Sequence, residues 1–186
     1  MKNGVRILTQ VLRGILIAVL IGMAAMLVPS LITPRHHDHR PVRTLNDLNG
    51  LANSIANYTG EYARLPIAPS LDFETEGTGA VDLITVLLGK EESGPNMENP
   101  HQILFLNVSI NKNKKQGGLV HSADRRVVGI YDAWGNPLRV ILRPPGQAML
   151  TVPHAGKQVT TSKPAVVLSR GRDGTWGTKD DLISAT

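Results

Sequence analysis

At 186 residues and a formal charge of +5, the chain is long enough for one globular domain and an appendage. The charge is uneven: residues 1–43 carry six Lys/Arg and one Asp, the rest carries fourteen of each sign, and only 4% of residues are aromatic, which argues against a nucleic-acid surface. With no cysteine, a disulfide framework, a thiolate metal site and a cysteine nucleophile are excluded.

The first 13 residues are a basic segment with Lys2, Arg6 and Arg13. The run GILIAVLIGMAAMLVPSLI that follows is uncharged. At about 1.5 Å per residue it matches a hydrocarbon core of about 30 Å, which predicts a single transmembrane helix over residues 14–33. The alternative is a cleaved signal peptide, whose apolar core is usually only about 7–15 residues. Arg35, Arg40 and Arg43 nearly balance the basic residues before the run, so charge alone does not orient it. Residues 34–43 read as a linker, because Pro34 and Pro41 oppose a helix running straight through. His36, His37, Asp38 and His39 have the chemistry of a transition-metal cluster, or equally of solvated residues beside a membrane.

Residues 44–186 are expected to form the globular domain. Thr44 is placed to cap a helix in which Leu45, Leu48, Leu51, Ile55, Tyr58 and Tyr62 recur at three-to-four spacing until Pro66. A second helix is predicted over residues 79–89, with Val81, Ile84, Leu87 and Leu88 on one side and Gly89 as its stop. HQILFLNVSI fits a short helix or a strand, and NKNKKQGG reads as a solvated basic loop. VVGIY, PLRVILRP, AMLTV and AVVLS are β-branched runs separated by turn chemistry. In DAWGNP, Gly135-Asn136 supports a turn, Pro137 opens the next strand, and Trp134 is expected to lie on the core as a lid.

The chain ends in SRGRDGTWGTKDD, a stretch rich in glycine and carboxylates. Asp173, Asp180 and Asp181 offer hard oxygen ligands, and the glycines at 171, 174 and 177 free carbonyls to turn inward, as Ca²⁺ requires. The EF-hand spacing is missing. A glycine-rich tail whose carboxylates pair with Arg170, Arg172 and Lys179 explains the same residues. His121-Ser122 and His154 carry hydrolase chemistry in principle, but no G-x-S-x-G or H-E-x-x-H pattern frames them, so the chain reads as non-enzymatic.

In order along the chain, ANYTGEYARLP, NPHQILFL, YDAWGNPLRV and VVLSRGRDGTWGTKDDL resemble the globular part of the major pseudopilin of bacterial type II secretion, over about residues 44–183. The resemblance implies an α+β fold in which an amphipathic helix packs on a small antiparallel sheet. It also implies a structural Ca²⁺ in the loop after the last strand, held by Asp173 and by Asp180 or Asp181, with Leu168 and Ser169 lending carbonyls. The chain would then be a single-pass inner-membrane protein with a periplasmic domain, and its partners would be the membrane and other secretion-system subunits. The alternative is a tethered periplasmic module that does not polymerise. The N-terminus departs from the family: no Gly-Phe cleavage site is present, and cleavage after Gly14 would place Val19 where the family has an acid.

Overall fold

The computed structural model describes residues 38–185. The basic segment, the expected membrane helix over residues 14–33 and the linker as far as residue 37 lie outside them. Among the described residues no helix is long and apolar enough to cross a membrane.

The fold is α+β. Helix α1 (Arg40–Tyr62) opens it, followed by β1 (Asp72–Glu74), α2 (Thr78–Leu87), β2 (Ile110–Asn111), a short 3₁₀ turn (Lys114–Gln116), β3 (Gly118–His121) and β4 (Val127–Tyr131). The chain continues through β5 (Arg139–Leu142), β6 (Leu150–His154), β7 (Lys157–Thr161), β8 (Ala165–Ser169) and β9 (Leu182–Ile183). Helix α1 begins at Arg40, four residues before the expected Thr44, and takes in the end of the predicted linker. Pro41 permits this because it falls in the first turn, where a backbone N–H has no intrahelical partner to lose. Thr44 is therefore not a cap. It is fully buried inside the helix, and its Oγ1 accepts the backbone N–H of Ala133 at 3.0 Å.

The apolar stripe of α1 is largely as predicted, with Leu48, Leu51, Ile55 and Tyr58 fully buried. Leu45 departs from it at 38% exposed. Helix α2 stops where Gly89 turns the chain at φ 63°, and Lys90 N–H closes back on the Thr85 carbonyl.

The main sheet is antiparallel, in the order β1-β5-β8-β9. Strand β8 is buried along its whole length, and its residues divide between two apolar clusters. Ala165 and Val167 join the cluster formed with α1 and α2, while Val166 and Leu168 join Leu150, Val152 and Trp176 on the other side. This is why AVVL is continuously apolar: a strand covered on both faces has no polar side to alternate with. The second cover is the hairpin β6–β7. A third group, β2-β3-β4, contains a parallel pair, β2 with β3. Thr75, fully buried, joins this group to the main sheet: its hydroxyl donates to the Ile130 carbonyl and accepts Leu138 N–H.

HQILFLNVSI is neither helix nor strand for most of its length. It is held by side chains instead. Asn99, buried, donates from Nδ2 to the Val86 and Ile103 carbonyls, while its Oδ1 accepts Ile103 N–H and the Tyr62 hydroxyl. Asp47 on α1 accepts the N–H and hydroxyl of Ser109. The basic stretch 111–118 contributes the 3₁₀ turn, and Lys114 pairs with Glu76 at 2.6 Å.

Candidate functional site

The two stretches that carry the strongest sequence signal, the turn at 132–137 and the loop after β8, meet in space. Asp132 is fully buried. Its Oδ1 accepts the N–H groups of Trp134 and Asn136, both at 2.9 Å, and its Oδ2 accepts Asn136 Nδ2 at 2.9 Å and the Ser169 hydroxyl at 2.7 Å. Asn136 Nδ2 also reaches the Gly171 carbonyl at 2.9 Å, and Gly171 N–H donates to Ser169 Oγ at 3.0 Å. One carboxylate thus fixes both the tight turn and the start of the loop. Gly135 alone supplies the turn's positive φ, at 100°. Trp134 joins neither apolar cluster, so it is not the lid expected; its ring lies 6.0 Å from the guanidinium of Arg40.

Beyond Ser169 the loop folds on its own carboxylates. Asp180 Oδ2 accepts the N–H groups of Arg172 at 2.6 Å and Asp173 at 3.0 Å, and its Oδ1 accepts the Thr178 hydroxyl at 2.6 Å. These donors, Thr178 foremost, hold the Asp180 carboxyl below its ordinary value. Asp173 Oδ1 accepts Thr175 N–H at 2.8 Å, and Asp181 Oδ2 accepts Gly177 N–H at 2.7 Å. Gly171 has φ 61°, and a Cβ there would stand 2.2 Å from the Asp180 carbonyl oxygen, so the closure of the loop requires glycine.

The five predicted ligands are therefore neighbours in the chain with different surroundings. Leu168 and Ser169 are buried in β8, where Leu168 stands in register with Arg139 on one side and Ile183 on the other. Asp173 is exposed, Asp180 is half-buried, and Asp181 is 8% exposed. Among the described residues, no group of three or more His, Asp or Glu is gathered as a metal cluster. The Oδ1 of Asp181 is buried without a hydrogen-bond partner, and an oxygen in that state suits a hard cation.

The alternative in which basic side chains neutralise the loop is corrected. Arg170 pairs with Glu74 on β1, and among the described residues no ion pair joins Arg172 or Lys179 to the loop's carboxylates. Backbone N–H groups and a hydroxyl take that role instead. The Trp176 ring lies near two guanidinium groups, Arg139 at 5.6 Å and Arg170 at 5.4 Å from its centroid, and packs against the second cluster.

The histidines weighed for hydrolysis are apart in the fold, His121 on β3 and His154 on β6, in different sheets. The Ser122 hydroxyl is engaged by Asp124 and by the Arg126 carbonyl in the β3–β4 turn. Sequence reasoning missed Asp132, Asn136 and Asn99. The D-x-x-x-N spacing inside DAWGN was a signal for the first two, since Asp side chains accept backbone N–H groups two residues on.

No family model, no curated protein and no solved structure matches the chain.

Proposed function

We propose that this chain is a non-enzymatic, membrane-anchored, pseudopilin-like protein that serves type II secretion or a related pilus-like system, with its globular domain on the periplasmic side. The observation that carries the reading is the hydrogen-bonded junction between DAWGN and the loop after β8, through Asp132–Ser169 and Asn136–Gly171. The two motifs of the resemblance meet there, and a long helix, α1, packs on the antiparallel main sheet, which supports the reading. Structural Ca²⁺ belongs to the same reading, held by Asp173, Asp180 and Asp181 with carbonyls of Leu168 and Ser169. Its role is to clip the chain end to the sheet.

Deleting the gene in its native host and comparing proteins in the medium tests the function: specific exported proteins should accumulate inside the cells, and an unchanged medium would refute a secretion role. Calcium should raise the melting temperature of the full chain in detergent relative to chelator, and Asp173→Ala should remove most of that difference. Equal melting with and without calcium would leave the loop a self-bonded turn.

A second reading, a tethered periplasmic module outside any filament, is favoured by one observation. The anchor run has no acidic residue, and Val19 stands where the family carries its acid if cleavage follows Gly14.

A further inference from the structure

The described domain is polarised along α1. At the helix's N-terminal end, Arg40 and Arg43 meet Lys112, Lys114 and Lys115 of the loop before β3, and all five are exposed. Short contacts join them into one surface. Arg43 Nη2 donates to Asn111 Oδ1 at 2.8 Å, the Arg40 guanidinium lies 6.0 Å from the Trp134 ring, and a Cβ on Gly135 would stand 3.4 Å from Lys115 Cγ. Thr44 pins the helix to the same turn through Ala133.

The acids that touch this surface do not cancel it. Glu76 takes up Lys114, Asp47 is buried and accepts from Ser109, and Asp132 is buried with both oxygens bonded. Among the described residues Arg43, Lys112 and Lys115 form no ion pair. The 23 residues of α1 span about 35 Å, and its last turns meet acids instead. There the Tyr58 hydroxyl donates to the Glu98 carbonyl at 2.8 Å, and Glu98 lines a cavity with Asp82, Glu91 and Glu92. A domain charged in this way turns its basic end toward an anionic surface.

Two further observations select the surface. Val42 is 62% exposed and Ile110 68% exposed, the first beside Arg43 and the second beside Asn111, the two residues that the hydrogen bond joins. Aliphatic side chains exposed among cations suit the boundary between lipid headgroups and acyl chains, whereas a nucleic-acid strand is met by stacking aromatics. The second observation is covalent. Only residues 34–39 lie between the expected membrane helix and Arg40, and six residues reach at most about 22 Å even when extended.

We propose that the N-terminal end of α1 and the loop of residues 111–116 dock on the anionic phospholipid headgroups of the membrane that holds the chain. The inference rests on the membrane-anchored reading and adds to it a second, reversible contact that lays this face of the domain on the bilayer. Each Lys or Arg near an anionic bilayer strengthens binding about fivefold, and salt screens the attraction.

The test uses the full chain reconstituted in vesicles of phosphatidylcholine, or of phosphatidylcholine mixed with phosphatidylglycerol. Because the chain has no cysteine, Asn113→Cys places a single polarity-sensitive fluorophore in the basic loop, and Asn96→Cys places one at the acidic end; both positions are exposed. With phosphatidylglycerol the label at 113 should shift to the blue and be quenched by lipid spin-labelled on its headgroup, and high salt should reverse both effects. In phosphatidylcholine it should report water, as the label at 96 should in either lipid. Lys112→Gln and Lys115→Gln should each lower the ratio of docked to undocked domain about fivefold and leave the melting temperature unchanged, since neither lysine is in an ion pair. Extraction of the same vesicles at alkaline pH separates the two ways of failing. A chain that stays in the bilayer while the label at 113 behaves alike in both lipids would overturn the docking and leave the anchor standing. A chain that alkali removes would refute the anchor and the docking with it. A label at 113 that responds to added duplex DNA but not to phosphatidylglycerol would assign the face to nucleic acid and overturn the proposal.

Discussion

Asp132 shows how much one side chain settles here. Buried, it accepts four hydrogen bonds from three residues, two of them within its own turn and one, Ser169, at the end of β8. The turn was legible from Gly135 and Pro137. The partner across the fold was not, because nothing local in DAWGN names Ser169. Asp180 makes the same point in the loop: clustered carboxylates suggested either a cation or basic partners, and both of its oxygens are satisfied by N–H and O–H donors close in sequence. A carboxyl held below its ordinary value of 3.8 contributes stability that is full above that value and is lost as pH falls through the folded value. Asp180→Asn should therefore make the loss of stability below pH 3.8 shallower than in the parent chain, without flattening it, since Arg139 likewise lowers Asp72 and Lys114 lowers Glu76. Urea unfolding across the acid range measures this, and parallel curves would show that the Asp180 bonds contribute nothing.

At the scale of elements, α1 contains two glycines with opposite reasons to be there. A glycine inside a helix usually costs about 1 kcal/mol relative to alanine. At Gly50 a Cβ would lie 2.0 Å from the Asn107 carbonyl oxygen, because the irregular segment before β2 crosses the helix at that point. Nothing lies within 4 Å of a Cβ at Gly60. Gly60→Ala should therefore stabilise the domain by about 0.5–1 kcal/mol, and Gly50→Ala should destabilise it by about 1–3 kcal/mol despite the better helix former. Chemical denaturation reads both, and equal effects at the two positions would mean that the crossing is loosely packed. The helices and the β-branched strands were legible because periodicity and β-branching are local signals. Strands β1, β3, β7 and β9 were not anticipated. β1 and β9 are two or three residues long, and β7, KQVTT, is mostly polar and mostly exposed, so it carries no apolar run. The early start of α1 was missed because Pro41 was weighed as a breaker and not as a first-turn residue.

For the whole molecule, the described domain is a helix pair on one side of a sheet and a hairpin on the other, with the C-terminal loop folded against the strand that both layers share. The two-sided burial of β8 could be read from AVVL only as a strand of continuous apolarity; which elements cover it depends on contacts far apart in the chain. The proposed role depends equally on the N-terminal run, since a pseudopilin-like domain serves a membrane system only if it stays attached to the membrane. Intact mass and N-terminal sequence of the protein extracted from its native membranes test this most directly. The account predicts a membrane-bound chain that retains residues 14–33; a methylated new N-terminus just before that run would mark a filament subunit, and retention of Met1 a tethered module. A soluble chain beginning beyond residue 33 would contradict the account, because the apolar run would then be a leader and the domain free of the membrane.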